Sequence, residues 1–248
     1  MFVATLSDVK TLRDSIDTIA QIIDEGNFKI KPNGIELLAA DRAMVAVVDF
    51  KMASESFDSY SCDAETVAGI NMLNFLTILK RAGSDDKMTL KLADGRMEVL
   101  LEGSSKRLFA IPLIDITKEE VPSVEQFEFP AMAEAEGVTL SKGIEDADIV
   151  ADSVIIELDD SSLKMFSESG SSKAELKLEK GSAALINLTS PQAVRSRYPL
   201  DYLKKMMKAS KLSANARIRL GNDYPMRLDF DGEKAKLGFV LAPRVSEE

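Results

Sequence analysis

The sequence predicts an α+β chain made of two copies of one unit, each built of antiparallel sheets with helices on one face. Three observations carry this prediction. Apolar positions recur at a constant separation, since Leu12, Ile16 and Ile35 are matched 128 residues later by Leu140, Ile144 and Leu163. A fixed period is the signature of a duplicated unit. Between these positions, apolar and polar residues alternate around tight-turn sequences, as half-buried strands joined by hairpins do. The remaining periodic stretches are short and amphipathic, and strands joined by tight turns favour antiparallel sheets that carry their helices on one face.

Each copy reads as helix, hairpin strands, helix, then further hairpin strands. In the first, Leu12 and Ile16 mark a helix, and "NFKIKPNGIELLAAD" places Phe28, Ile30, Ile35 and Leu37 alternately around the turn former "KPNG". "NMLNFLTILKRAG" is the second helix, and "KMTLKLADGRMEVLLEGSSKRLFAIPL" gives strands around "ADGR". In the second copy Leu140 and Ile144 precede "SVIIELDDSSLKMFSES", with Ile156, Leu158, Leu163 and Met165 alternating. The helix "YPLDYLKKMMKASKL" follows, then strands in "ARIRLGNDYPMRLDFDGEKAKLGFVLAPR" around "GND" and "FDGE". The low-periodicity stretch "DITKEEVPSVEQFEFP" separates the copies as an exposed connector. The expected boundaries are 1–114 for the first domain, 115–130 for the connector and 131–248 for the second domain.

A composition of 45% apolar and 29% charged residues is that of a globular chain. No eighteen apolar residues run together, and "MFVATLSDVK" lacks a charged leader ahead of an apolar block, so neither a membrane span nor a signal peptide is expected. The single cysteine, Cys62, is read as a lone buried thiol in a reducing compartment, cytoplasmic or nuclear.

The formal net charge is −10, yet Arg195 to Lys211 holds six cations against Asp201. At 100° per residue, Lys204, Lys205, Lys208 and Lys211 share one arc, with Leu200, Leu203, Met206 and Met207 opposite. The equivalent helix of the first copy repeats the design. Asn74, Thr77, Lys80 and Arg81 form its polar arc, Met72, Phe75, Leu76 and Leu79 lie opposite, and it has no acidic residue. Flexible point charges on a rigid face suit sequence-independent contact with duplex phosphates. Features that read bases are missing from the sequence: there is no zinc-finger spacing, no aromatic-rich strand and no Trp.

In order and spacing, "LLAADRAMVAVVDF", "GINMLNFLTILKRA", "FAIPLIDI", "DADIVADSV", "LGNDYPMRLDF" and the terminal "VLAPR" resemble the archaeal and eukaryotic sliding clamps, the proliferating cell nuclear antigen family. The resemblance covers essentially the whole chain. It implies the DNA clamp fold, a two-domain subunit, and three subunits closed into a ring whose helices line a hole around duplex DNA. Bacterial clamps carry a third repeat per chain, which this length cannot hold. The implied role is that of a non-enzymatic processivity factor without cofactor or metal. The implied partners are the replicative polymerase, the clamp loader, ligase and flap nuclease, which dock through short peptides.

Carried over residue by residue, the resemblance points Lys80, Arg81, Lys204, Lys205, Lys208 and Lys211 at the DNA, with Lys10, Arg13 and Lys142 on the other two helices. Asp14 and Asp17 crowd Arg13, and Glu145 and Asp146 follow Lys142, so these two helices are expected to add less. The implied docking groove comprises Ala40, Met44, Val45, Val47, Val121, Phe127, Pro225, Ala242, Pro243 and Arg244. Removal of Leu241–Glu248 is expected to abolish peptide binding and spare the fold. Ring closure is expected head to tail between sheet edges. The resemblance implies that Lys106, Arg107, Leu108 and Phe109 lie against Glu175, Leu176, Lys177 and Glu179, with Lys106 and Arg107 meeting Glu175 or Glu179. Identical and paralogous neighbours fit equally well, as does a subunit of a heterotrimeric or checkpoint-type clamp acting as a scaffold.

An enzyme is the competing class. The chain has no histidine, the commonest general base. Asp85-Asp86 and Asp159-Asp160 read as solvated hairpin turns. "DADIVADSVIIE" imitates a calcium loop, but Val150 takes a ligand position and Ala151 replaces the glycine that the turn demands.

Overall fold

The computed structural model describes residues 1–117, 121 and 124–244. Of the expected connector, residues 118–120, 122 and 123 lie outside the described residues. The chain divides into two compact units. The first takes the described residues within Met1–Ala43, Val48–Val121 and Gly232–Leu237, and the second those within Met44–Val47, Pro122–Asp231 and Gly238–Glu248.

The first unit runs β1 (Phe2–Leu6), α1 (Lys10–Ile19), β2 (Glu25–Lys31), β3 (Gly34–Ala40), β4 (Ala46–Ala53), β5 (Ser59–Cys62), β6 (Thr66–Asn71), α2 (Met72–Leu79), β7 (Lys87–Ala93), β8 (Arg96–Glu102) and β9 (Lys106–Pro112). Its strands lie in the orders β5-β1-β7-β8-β9 and β4-β3-β2-β6. The second unit repeats this element for element: β10 (Ala131–Glu136), α3 (Gly137–Val150), β11 (Ser153–Leu158), β12 (Ser162–Ser169), β13 (Ser172–Glu179), β14 (Leu185–Thr189), β15 (Val194–Pro199), α4 (Leu200–Met206), β16 (Asn215–Leu220), β17 (Met226–Asp231) and β18 (Lys236–Leu241). Its orders, β14-β10-β16-β17-β18 and β13-β12-β11-β15, are those of the first unit with each strand replaced by its repeat.

The residues whose alternation marks the hairpins face each other across them. Phe28 pairs with Leu37 and Ile30 with Ile35; Ile156 pairs with Met165 and Leu158 with Leu163. The "ADGR" turn places Asp94 at φ 50° and Gly95 at φ 71°, the pair of positive angles that a two-residue hairpin of matching twist requires. Close backbone approach explains Gly69. A Cβ there would lie 2.0 Å from the Ile114 carbonyl oxygen, and the Ile114 N–H bonds to the Gly69 carbonyl at 3.0 Å. With Asn27 Nδ2 donating to the Ile116 carbonyl at 3.2 Å, the start of the connector is pinned to the first unit, not free-standing.

The structure adds strands that the alternation did not reveal. β1 is buried at four of its five positions, so it has no polar face to alternate with, and it pairs with β5 and β7 from far along the chain. β10 does alternate, but its inward residues are Ala131, Ala133 and Ala135, a weak strand signal. Two side-chain expectations are also corrected. Cys62 is free but only half-buried. Asp86 is no solvated turn residue: it is buried, accepting from the Gly83 N–H at 2.7 Å and from the Arg107 guanidinium.

Candidate nucleic-acid and partner-docking surfaces

Helix α2 starts where Asn71 Oδ1 accepts the Asn74 N–H at 3.0 Å, a cap that satisfies one of the free amides of the first turn. It buries Met72, Phe75, Leu76 and Leu79 and leaves Asn74, Thr77, Lys80 and Arg81 exposed. Helix α4 buries Leu200, Leu203 and Met206 and leaves Lys204 exposed and Lys205 half-exposed. Beyond Met206 the chain tightens into a 3₁₀ turn over Met207–Lys211, where side chains three apart eclipse. That stacks Lys208 and Lys211, both exposed, on one line. The basic stripe therefore persists although the α-helix ends at Met206, five residues before Lys211.

The first helices add both charges. Lys10 lies exposed at the start of α1 and Lys142 is exposed on α3. Lys10 Nζ reaches Asp14 at 2.7 Å, and Arg13 Nε lies 3.7 Å from the same, largely buried carboxylate. Two further pairs cross from helix to helix within a unit: Lys80 Nζ to Asp17 Oδ1 at 2.8 Å, and Lys204 Nζ to Asp148 Oδ2 at 2.7 Å. Lys205 lies over the Tyr202 ring at 5.3 Å.

A second surface forms in the second unit. Met44 holds φ +56° and is 52% exposed; a bulky side chain in the left-handed region is an unusual conformation, held only where its surroundings impose it. Val45 is half-exposed, whereas Val47 is buried. The Ala242 N–H bonds to the Val45 carbonyl at 2.9 Å and the Arg244 N–H to the Arg197 carbonyl at 2.8 Å, while Arg244 Nη1 pairs with Asp152 at 2.7 Å. That contact holds the Asp152 carboxyl below its ordinary pKa. Pro243, within the last of these segments, and Pro225, next to Tyr224, are half-exposed. Phe127 joins an aromatic cluster missed by sequence reasoning: it packs on Phe129 and Tyr224 at 6.3 and 6.1 Å, and those two rings pack at 5.9 Å. The paired aromatics of "QFEFP" and the tyrosine of "NDYPM" were its only signal. Ala40 and Val121, both half-exposed, belong to the first unit.

Leu241 corrects the expected truncation. As the last residue of β18 it is fully buried, so a deletion that includes it removes core.

The two expected ring edges, β9 and β13, each end the strand order of their sheet. Leu108 is 63% exposed, with Phe109 and Leu176 half-exposed. The charged residues of these strands already hold partners within their own units: Lys106 with Glu102, Arg107 with Asp86, Glu175 with Lys164 and Lys173, and Lys177 with Glu179. Leu176 also lies over α3, where a Cβ on Gly143 would come within 2.5 Å of its Cδ2.

Among the described residues no group of three His, Cys, Asp or Glu side chains could hold a metal ion, and no helix is long and apolar enough to cross a membrane.

Comparison with known proteins identifies the family. Residues 1–117 match the family model described as the N-terminal domain of proliferating cell nuclear antigen, and residues 123–245 match that of its C-terminal domain. The chain is 32% identical over 248 residues to the DNA polymerase sliding clamp of Thermococcus fumicolans, covering 99% of both chains. It is 33% identical over 250 residues to that of Methanothermobacter thermautotrophicus, covering 100% of both. The crystal structure of the proliferating cell nuclear antigen from Thermococcus kodakaraensis superposes with a TM-score of 0.90 at 25% identity, over 98% of this chain and 100% of that one. Two family domains in tandem, on a duplicated fold that carries basic second helices in both halves, make this chain a member of the proliferating cell nuclear antigen family.

Proposed function

We propose that the chain is a DNA sliding clamp: a non-enzymatic processivity factor that encircles duplex DNA and tethers replication and repair enzymes. The observation that carries the reading is the exposed basic stripe Lys204, Lys208 and Lys211 on an acidic chain, echoed by Lys80 and Arg81 at the equivalent helix of the other unit. An acidic exterior repels DNA while a basic inner surface attracts its phosphates. Enclosure holds the DNA, so individual contacts can stay weak.

The domains are 1–114 and 131–248, joined by 115–130. Lys10, Arg13, Lys80, Arg81, Lys142, Lys204, Lys205, Lys208 and Lys211 face the DNA. Polymerase, ligase, flap nuclease and clamp loader dock by short peptides on Met44, Val45, Phe127, Pro225 and Ala242 to Arg244 of the second unit; Val47 supports the surface from beneath. Phe129 and Tyr224 join this set because apolar and aromatic anchors dominate such docking. Three copies close the ring by strand addition of β9 to β13, where Leu108, Phe109 and Leu176 supply the apolar contact. The clamp works in the cytoplasm, as befits an archaeal type of clamp.

The test is polymerase stimulation by K204A/K205A/K208A on primed circular DNA at moderate salt. Stimulation should fall well below the parent's. Unchanged stimulation with an intact ring would refute the DNA-facing assignment. A native mass of about three chains supports closure by this chain alone, and a stable monomer that trimerises only with paralogues assigns the ring to a heterotrimer.

A further inference from the structure

Two of the cations assigned to DNA already hold carboxylates supplied by the neighbouring helix. Asp17 of α1 holds Lys80, and Asp148 of α3 holds Lys204, at 2.8 and 2.7 Å. Both lysines remain accessible, with side chains 55% and 43% exposed. The two copies reach this arrangement with different residues. At the repeat spacing Asp17 corresponds to Glu145, and Asp148 to Ala20, so the pairing is not a passive consequence of duplication. Nor does stability explain it, because ion pairs this open to solvent contribute little to folding.

From this geometry we infer that Asp17 and Asp148 are resident competitors of the DNA phosphates, positioning residues that loosen the grip of Lys80 and Lys204. This builds on the clamp reading above. A lysine that meets a phosphate must first leave its carboxylate, which then recruits a cation from solution. The contact thus forfeits the counterion release that drives phosphate binding. The lysine can return to the carboxylate as the duplex advances, which shortens each contact. Asp14 is buried and does not compete in this way.

The experiment is an anisotropy titration of a short fluorescent duplex against the assembled clamp across salt concentrations, comparing the parent with D17N/D148N. Each contact freed from competition steepens the slope of log affinity against log salt by about 0.9, so the double variant should steepen it by up to about 1.8 per subunit in contact. Its gain over the parent should then shrink about twelvefold between about 50 and 200 mM salt. D94N/D160N changes the net charge equally, at two exposed turn residues, and should leave the slope close to the parent's. A D17N/D148N slope no steeper than that of D94N/D160N overturns the inference. K205A/K208A separates the two claims. If it weakens duplex binding while D17N/D148N matches its control, only the competition fails; if it binds duplex like the parent, the DNA-facing assignment itself falls.

Discussion

Replacing Tyr198 by Phe removes one hydroxyl from the interior of the second unit. Tyr198 is fully buried, and its Oη donates to the Tyr224 carbonyl at 2.8 Å. The same carbonyl accepts from Ser196 Oγ at only 3.4 Å. Burial pushes the phenol pKa well up, so the group is a neutral donor throughout the physiological range. Leaving a buried acceptor poorly satisfied costs about 1–3 kcal/mol. The surviving Ser196 contact places this case in the lower half, near about 1.5 kcal/mol. The ring stays, so no large cavity opens. For a chain of this length that cost lowers Tm by about 3–6 °C. Because the Tyr224 ring packs on Phe127 and Phe129, loosening its backbone should also weaken a docked polymerase peptide, by up to about tenfold if the full cost is coupled to binding. Thermal unfolding followed by circular dichroism and calorimetric peptide titration measure the two effects. Y60F is the control: Tyr60 Oη donates to the Lys31 and Gly34 carbonyls in the first unit, so its loss should lower stability and leave docking alone. A Y198F protein that melts with the parent, or loses no more peptide affinity than Y60F, would refute the reasoning.

The same fold predicts two other outcomes. A chain ending at Leu241 should unfold cooperatively near the parent's urea midpoint but lose peptide binding in calorimetry, because it lacks Ala242 to Arg244; a chain ending at Val240 should lose about 2–5 kcal/mol as well, the usual cost of removing a buried leucine. Asp86 carries the acid sensitivity of β9. The Gly83 N–H and then the Arg107 guanidinium lower its pKa, so its contribution to stability is complete above the ordinary carboxylate value of about 4 and is lost as pH falls below it toward the lowered pKa. Urea midpoints should therefore fall less steeply with acidification in D86N than in the parent; equal slopes would remove Asp86 from that role.

The sequence by itself determined the duplication, the hairpins and the polarity of the second helices. Each is a local periodicity: Ile30 faces Ile35 because a two-residue alternation crosses a tight turn, and Lys204 is exposed while Leu203 is buried because a helix turns 100° per residue. The segments proposed for docking came instead from the resemblance to the family, as short runs in a set order. Only the tertiary structure decided which distant groups meet. β1 finds β5 and β7, Arg107 turns inward to Asp86, Phe129 and Tyr224 close around Phe127, and Asp17 and Asp148 take hold of Lys80 and Lys204. Counting charges along the helices marked Asp14 and Asp17 as neighbours that weaken Arg13. In the fold Asp14 alone stays on its own helix, while Asp17 crosses to another. The reason is physical: periodicity fixes which face a side chain occupies, but its partner is set by packing between elements far apart in the chain, and no local pattern encodes that distance.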